Sequence, residues 1–320
     1  MTTGPTTLLL HTYPAENEGT PADLERAIRN RIPDIHLERV STYEEARRRI
    51  PNAEVIIEHR IDDELLSLAD NLAWVQSLSS GVDRFDLDAL ERRGVVLTTV
   101  SGVHADPISE HVLGYALLFE RRLLETLRQQ SRKEWRPVTP GELSSKTVGI
   151  VGVGAIGGRI AERCAALGMT VLGVRRKSTT PQAVDELFAP DELDSVLARA
   201  DYLVLSCPLT EETEGLLGER ELRTMKESAV LINVARGAVV ETEALVDALR
   251  SGAIAGAALD VTDPEPLPPE SPLWNLSNVI LTPHLSGGSP QYTERCAEIF
   301  ETNYRAFEAG DREQMTNRVV

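Results

Sequence analysis

The hexapeptide Gly152-Val153-Gly154-Ala155-Ile156-Gly157 constrains the fold of this chain more than any other feature. A bare G-x-G-x-x-G pattern is weak, because glycine is common enough to produce it by chance. Its setting makes it specific. An apolar run at 148–151 leads into the hexapeptide and an amphipathic stretch at 156–167 leaves it. Gly168 suits the C′ position of that helix, and a second apolar run follows at 170–174. Strand, glycine turn, helix and strand in this order form the cradle for a dinucleotide pyrophosphate. Gly152 permits the tight turn, Gly154 lets backbone approach the anion, and Gly157 allows close packing of helix on strand. Ala155 and Ile156 then open the helix, whose first N–H groups face the anion.

The rest of the chain repeats this alternation. Apolar runs at 6–11, 35–40, 55–59, 72–78 and 95–100 are separated by amphipathic helical pieces. A second set begins at 148–151 and 170–174 and continues at 202–206, 230–233, 256–261 and 279–282. Such βα alternation predicts an α/β protein with two doubly wound parallel sheets. The length of 320 residues suits two domains. Between the two sets, residues 107–128 carry an apolar stripe and predict one long connecting helix, with Pro107 in its first turn. Residues 290–309 predict a helix that returns to the first domain. The expected organisation is a substrate domain of flavodoxin-like type from residues 1–103 and 286–320, with a Rossmann-type nucleotide domain inserted at 104–285.

The end of the second nucleotide-domain strand selects the cofactor. An NAD site places an acid there to accept hydrogen bonds from the ribose 2′-hydroxyl. Here the chain reads Arg175-Arg176-Lys177-Ser178, with no carboxylate. Arginines bond a 2′-phosphate through charge-assisted hydrogen bonds, so the expectation is NADP(H), with NAD(H) as the alternative.

Charge and composition exclude other classes. Acidic residues outnumber basic ones 50 to 33, a net charge of −17 that argues against a nucleic-acid partner. No apolar run approaches the roughly 20 residues of a membrane span, and no signal-peptide pattern opens the chain. A cytoplasmic location is expected. Cys164, Cys207 and Cys296 are far apart and the histidines lack ligand spacing, so no metal site is expected. The four lysines, Lys133, Lys146, Lys177 and Lys226, are few beside many acids. Either salt adaptation in a halophilic source or codon bias would produce that.

Ligands of open α/β sheets bind beyond the carboxyl ends of the strands. Beyond three consecutive runs lie Arg236, then Glu265, then His284, and Asp260 stands inside the second of those runs. Hydride addition to a carbonyl develops negative charge on oxygen, which a cation stabilises and a proton donor quenches. Arginine grips a carboxylate at two points, and histidine can carry and return a proton near neutrality.

The stretches Asn233-Val234-Ala235-Arg236-Gly237, Asp263-Pro264-Glu265-Pro266-Leu267-Pro268 and Thr282-Pro283-His284 resemble the D-2-hydroxyacid dehydrogenase family. The glycine loop and the Pro208-Leu209-Thr210…Thr213 segment belong to the same likeness, which runs from about residue 78 to residue 309. It implies hydride exchange between a nicotinamide cofactor and a small 2-oxo acid or D-2-hydroxy acid. In that case Arg236 binds the substrate carboxylate and polarises the carbonyl, and His284 paired with Glu265 is the acid/base. Asp260 would bond the nicotinamide carboxamide beside Ser286 and Gly287. Cys207, Pro208, Thr213, Val234 and Ala235 would line the cofactor, and Ser80, Gly81 and Val82 would hold the substrate carboxylate. Glu110 and His111 match the connecting helix as structural residues. The resemblance also implies a homodimer through the nucleotide domain, where Trp135 closes a neighbour's pocket or is buried at the contact. Arg175 departs from the pattern, standing where many members carry Asp. Within the family, an NAD-linked glyoxylate/hydroxypyruvate reductase or a phosphoglycerate dehydrogenase is the alternative. Outside it, a dinucleotide-sensing corepressor-like scaffold is the remote one.

Overall fold

A computed structural model describes residues 4–11, 20–79, 81–82, 84–176 and 181–320. It contains two compact units, Met1–His104 with Gly288–Val320, and Ala105–Gly287. In the first unit, strands β1 (Thr7–Leu10), β2 (Leu37–Val40), β3 (Val55–Glu58), β4 (Trp74–Ser77) and β5 (Val96–Thr98) form a parallel sheet in the order β2-β1-β3-β4-β5. This is the flavodoxin-like order. Nearly every residue of these strands is buried, as parallel sheets covered on both faces require. The helix Tyr292–Glu308 covers one face: Phe300 stacks on Trp74 with ring centroids 5.2 Å apart, and Glu301 pairs with Arg31 of the helix Pro21–Arg31 at 3.3 Å.

The second unit contains β6 (Thr147–Val151), β7 (Thr170–Val174), β8 (Glu186–Phe188), β9 (Tyr202–Leu205), β10 (Val230–Asn233), β11 (Gly256–Leu259) and β12 (Val279–Leu281). All are parallel, in the order β12-β11-β10-β9-β6-β7-β8. The chain starts in the sheet at β6, runs outward to β8, then returns across to β9 and runs to β12. The direction of winding therefore reverses between β6 and β9, the Rossmann switch point where ligands bind. The sequence pattern predicts six strands, and β8 is the seventh. It has three residues, lies at the sheet edge and begins with an exposed Glu186 held by Arg199, so no apolar run announces it.

The single connecting helix is a second difference. It divides into Ala105–Glu120 and Leu123–Ser131, with Arg122 in the left-handed region at φ 53°. Glu120 is tied down from outside the helix. Its carbonyl accepts from Gly141 N, and its carboxylate accepts from Tyr202 Oη at 2.7 Å and lies 3.3 Å from Lys146 Nζ. These bonds compete with the continuation of the helical ladder, and the chain turns.

Candidate active site

The glycine turn sits at the carboxyl end of β6, at the switch point. Gly152 has φ 95°, and a Cβ there would lie 2.6 Å from the backbone of Cys207, so only glycine fits between the ends of β6 and β9. Gly152 N donates to Val174 O at 2.9 Å, which ties the turn to the end of β7. Ser206 Oγ donates to Gly152 O at 2.9 Å and pins it from the other side. A Cβ at Gly157 would lie 2.2 Å from Gly152 O, so the helix Ala155–Ala166 packs closely on the turn. Gly154 is different: a Cβ there would meet nothing within 4 Å. Gly154 is the N-cap residue of this twelve-residue helix, and no side chain caps it. The N–H groups of the first turn, Ala155 and Ile156 among them, therefore have no side-chain cap from Gly154. Open volume, uncapped donors and the positive end of the helix dipole fit a dinucleotide pyrophosphate. The far end of the helix closes with Gly168 N bonded to Ala165 O and Met169 N to Cys164 O, and Gly168 is left-handed.

Around this turn stand the other cofactor candidates. Cys207 is buried against Gly152, and burial raises its thiol pKa. Thr213 Oγ1 donates to Pro208 O at 2.7 Å and accepts from Thr210 N at 2.8 Å, so its hydroxyl closes the 208–213 turn. Val234 and Ala235 are buried just beyond β10. Arg175 follows β7 directly and bonds Phe188 O through its backbone N–H. Arg176 pairs with Glu212 at 3.4 Å, both side chains well exposed. Lys177 and Ser178 lie outside the described residues, as does Ser80. Gly81 and Val82 follow β4 in the first unit, where Gly81 N donates to Ser79 Oγ at 3.3 Å and Val82 O accepts from Phe85 N.

Arg236, Glu265 and His284 come from loops beyond three neighbouring strands, β10, β11 and β12. The parallel register sets Asn233 beside Leu259 and Leu259 beside Leu281, so the three loops leave the sheet at one level. The imidazole Nδ1 of His284 and Oε2 of Glu265 are 3.0 Å apart, and Glu265 Oε1 accepts from Thr262 N at 3.0 Å. Both side chains are half exposed and open to solvent. The loop of Arg236 abuts this one: a Cβ at Gly237 would lie 2.0 Å from the carbonyl carbon of Thr262. Asn233, buried at the end of β10, folds that loop with both ends of its amide. Its Oδ1 accepts from Ala235 N and its Nδ2 donates to Arg236 O, each at 3.0 Å. The half-buried Arg236 guanidinium donates to Ala235 O at 2.8 Å.

Asp260 is buried beneath His284 and accepts three hydrogen bonds from the His284 loop. Thr282 Oγ1 is 2.5 Å away, Leu285 N 3.0 Å and Ser286 N 2.9 Å. Burial opposes its charged form, but bonds from Ser286, Thr282 and the loop backbone outweigh that and hold the carboxyl below its ordinary range. His284 itself has φ 48°, a left-handed conformation uncommon outside glycine, and its N–H donates to Asp260 O at 2.9 Å. The loop thus over-determines a strained residue, as functional sites do. Ser286 is buried, and Gly287 ends the unit. Asn233, Ser206 and Thr282 carry no role in the sequence reading, although two of them stand inside the quoted motifs. Among the described residues, no group of three or more His, Cys, Asp or Glu side chains could hold a metal, and no helix is long and apolar enough to cross a membrane.

A doubly wound sheet with a glycine turn at its switch point, and an Arg, Glu and His set on the loops beside it, defines the dinucleotide-dependent oxidoreductase class. Residues 113–286 match the family described as D-isomer specific 2-hydroxyacid dehydrogenase, NAD binding domain. A glyoxylate reductase of Thermofilum pendens is 38% identical over 264 residues, 80% of this chain and 78% of that protein. A D-isomer specific 2-hydroxyacid dehydrogenase family protein from Aeromonas salmonicida shares the fold at TM-score 0.85 and 34% identity, with 99% of each chain covered. A D-isomer specific 2-hydroxyacid dehydrogenase from Xanthobacter autotrophicus, solved with NADPH and MES, gives TM-score 0.85 at 29% identity over 99% of this chain and 98% of that one. The chain belongs to the D-isomer specific 2-hydroxyacid dehydrogenase family.

Proposed function

We propose that this protein interconverts a short 2-oxo acid and its D-2-hydroxy acid with NADP(H), using Arg236 to bind the substrate and the Glu265–His284 pair as acid/base. The observation that carries this reading is the 3.0 Å contact between His284 Nδ1 and Glu265 on the edge of the sheet that holds the glycine turn. A carboxylate can only accept, so Nδ1 carries a hydrogen and Nε2 is the nitrogen left to exchange a proton with substrate. A cofactor whose pyrophosphate lay on the glycine turn would supply the hydride in reduction and accept it in oxidation. As charge grows on the substrate's carbonyl oxygen, the Arg236 guanidinium stabilises it and the protonated His284 ring donates from Nε2. In the oxidative direction the neutral ring takes the hydroxyl proton at the same atom. Asp260 contributes by holding the His284 loop, and Ser286 and Gly287 lie at its end.

The preference for NADP(H) rests on Arg175 and Arg176 at the end of β7, where the run 175–178 carries no acid to repel a 2′-phosphate. The Arg176–Glu212 pair is exposed, and such pairs are worth about 0–1 kcal/mol, so it offers little resistance to a phosphate. The Xanthobacter relative crystallised with NADPH supports the same choice. The exposed apolar side chains Leu117, Leu123, Leu127 and Trp135 support a homodimer formed through the second unit. The buried thiols of Cys164 and Cys207 suit a reducing, cytoplasmic setting.

Steady-state assays of glyoxylate, hydroxypyruvate, pyruvate and a longer 2-oxo acid with each cofactor test this reading. Glyoxylate comes first because the Thermofilum relative carries that substrate in its name. Oxidation of NADPH on addition of at least one of these acids is expected, with kcat/KM at least about tenfold above that with NADH, a difference of about 1.4 kcal/mol. Equal or better use of NADH would remove the cofactor assignment, and no turnover with any acid would remove the reaction.

A further inference from the structure

The His284 loop is held by more than Asp260. Thr282 Oγ1 lies 2.5 Å from Tyr115 Oη and 3.5 Å from His111 Nε2, both on the helix Ala105–Glu120. His111 and Tyr115 are one turn apart and meet edge to face, with ring centroids 4.5 Å apart. The chemistry fixes the direction of this chain of bonds. The ionised Asp260 carboxylate can only accept, so Thr282 donates its one hydroxyl hydrogen to it and Tyr115 must donate to Thr282. Each bond polarises the next, in surroundings where Tyr115 and Asp260 are both buried.

We propose that Tyr115 and Thr282 are positioning residues for His284. Their relayed hydroxyls hold the Asp260 carboxylate in the orientation that grips the N–H groups of Leu285 and Ser286, and so fix where the imidazole is presented. The bonds bracket the histidine on both sides: Thr282 precedes it by two residues, and Leu285 and Ser286 follow it. The backbone of His284 bonds to Asp260 as well, through its N–H and the Asp260 carbonyl. A left-handed histidine would relax if this frame loosened, and Nε2 would move with it. Burial raises the pKa of Tyr115 and lowers that of His111, though Asp260 opposes the latter. The phenol therefore keeps the hydrogen that it must donate. His111, which the sequence treats as structural, belongs to the same frame at the limit of hydrogen-bond reach.

This inference rests on the proposed acid/base role of His284, so its test pairs a kinetic readout with one that needs no turnover. Tyr115→Phe removes one hydroxyl, and kcat is expected to fall about 3- to 10-fold, the worth of one hydrogen bond. Thr282→Val removes the relay, and a fall on the order of 10- to 100-fold is expected, as for a small misplacement of a reacting group. In both variants KM for the 2-oxo acid stays within about twofold, because its carboxylate is assigned to Arg236, which neither residue contacts. Thr282→Ser restores the hydroxyl and should recover most of kcat. In the double variant the tyrosine substitution should add little, because its partner is already gone. The second readout is 15N NMR of histidine-labelled protein without cofactor. The His284 ring signal should shift or broaden in Thr282→Val and return in Thr282→Ser. Unchanged ring signals, additive losses, or losses that Thr282→Ser does not repair would overturn the proposal. If the wild-type chain reduced no 2-oxo acid yet the ring signal followed the hydroxyl, positioning would stand and the reaction would fall.

Discussion

The imidazole of His284 has one nitrogen committed to Glu265 and its backbone locked by Asp260, so removing the ring should cost chemistry and little else. His284→Ala is expected to lower kcat by about 10²–10⁴, the usual worth of a positioned acid/base. NADPH affinity, followed by quenching of protein fluorescence, should stay nearly constant. Turnover like that of the wild type would reject the acid/base assignment. Glu265→Gln is a milder change, since the amide oxygen can still accept from either the ring or Thr262 N. It deletes the charge and turns an NH2 group to one of those two contacts, where it either clashes with Thr262 N–H or forces the neutral ring to accept at Nδ1. A loss smaller than that of His284→Ala is therefore expected in the same assay. A loss equal to it would mean that ring orientation depends on Glu265 alone.

Between elements, the most demanding contact is that of the Arg236 loop with the Glu265 loop. A methyl group at Gly237 would stand 2.0 Å from Thr262 C and 2.4 Å from Asp263 N, atoms that cannot rotate away. The two loops would have to part by about 1 Å, and a misplacement of that size can cost about 10²-fold in rate. Gly237→Ala is thus expected to lower kcat about 10- to 100-fold and to cost about 1–3 kcal/mol of stability by overpacking. Paired kinetics and urea unfolding would check it, and an unchanged kcat would mean that the loops yield without moving their side chains. At this scale the sequence is most and least readable. Arg236, Glu265 and His284 are visible because each follows an apolar strand, and the rule that ligands gather at carboxyl ends needs no coordinates. The glycine turn is visible because only that residue fits it. The bond from Tyr115 to Thr282 spans 167 residues and joins two ordinary side chains, so no local pattern contains it. The break at Arg122 is hidden for a related reason. No glycine marks the left-handed position, and the forces that end the helix come from Gly141, Lys146 and Tyr202.

Across the whole molecule, electrostatics works in two opposed ways. Fifty acidic residues against 33 basic ones leave a net charge of −17, and mutual repulsion destabilises a compact chain. Against it stand arginine–carboxylate contacts such as Arg159–Asp106 at 2.7 Å, Arg163–Glu110 at 3.0 Å and Arg220–Asp194 at 2.7 Å. Salt does not weaken the two equally. The screening length falls from about 10 Å at 0.1 M to about 3 Å at 1 M. Repulsion among acids spread over the surface acts over the longer distances and is screened first. Contact pairs near 3 Å persist longer, and exposed ones contribute only about 0–1 kcal/mol each in any case. Removing about 1 kcal/mol of repulsion should therefore raise Tm by about 2–4 °C in a unit the size of Ala105–Gly287. Scanning calorimetry from 0.05 to 1 M NaCl measures this directly. A falling Tm would mean that the ion pairs outweigh the excess charge, and that the arginine-rich, lysine-poor surface stabilises the fold through its contacts.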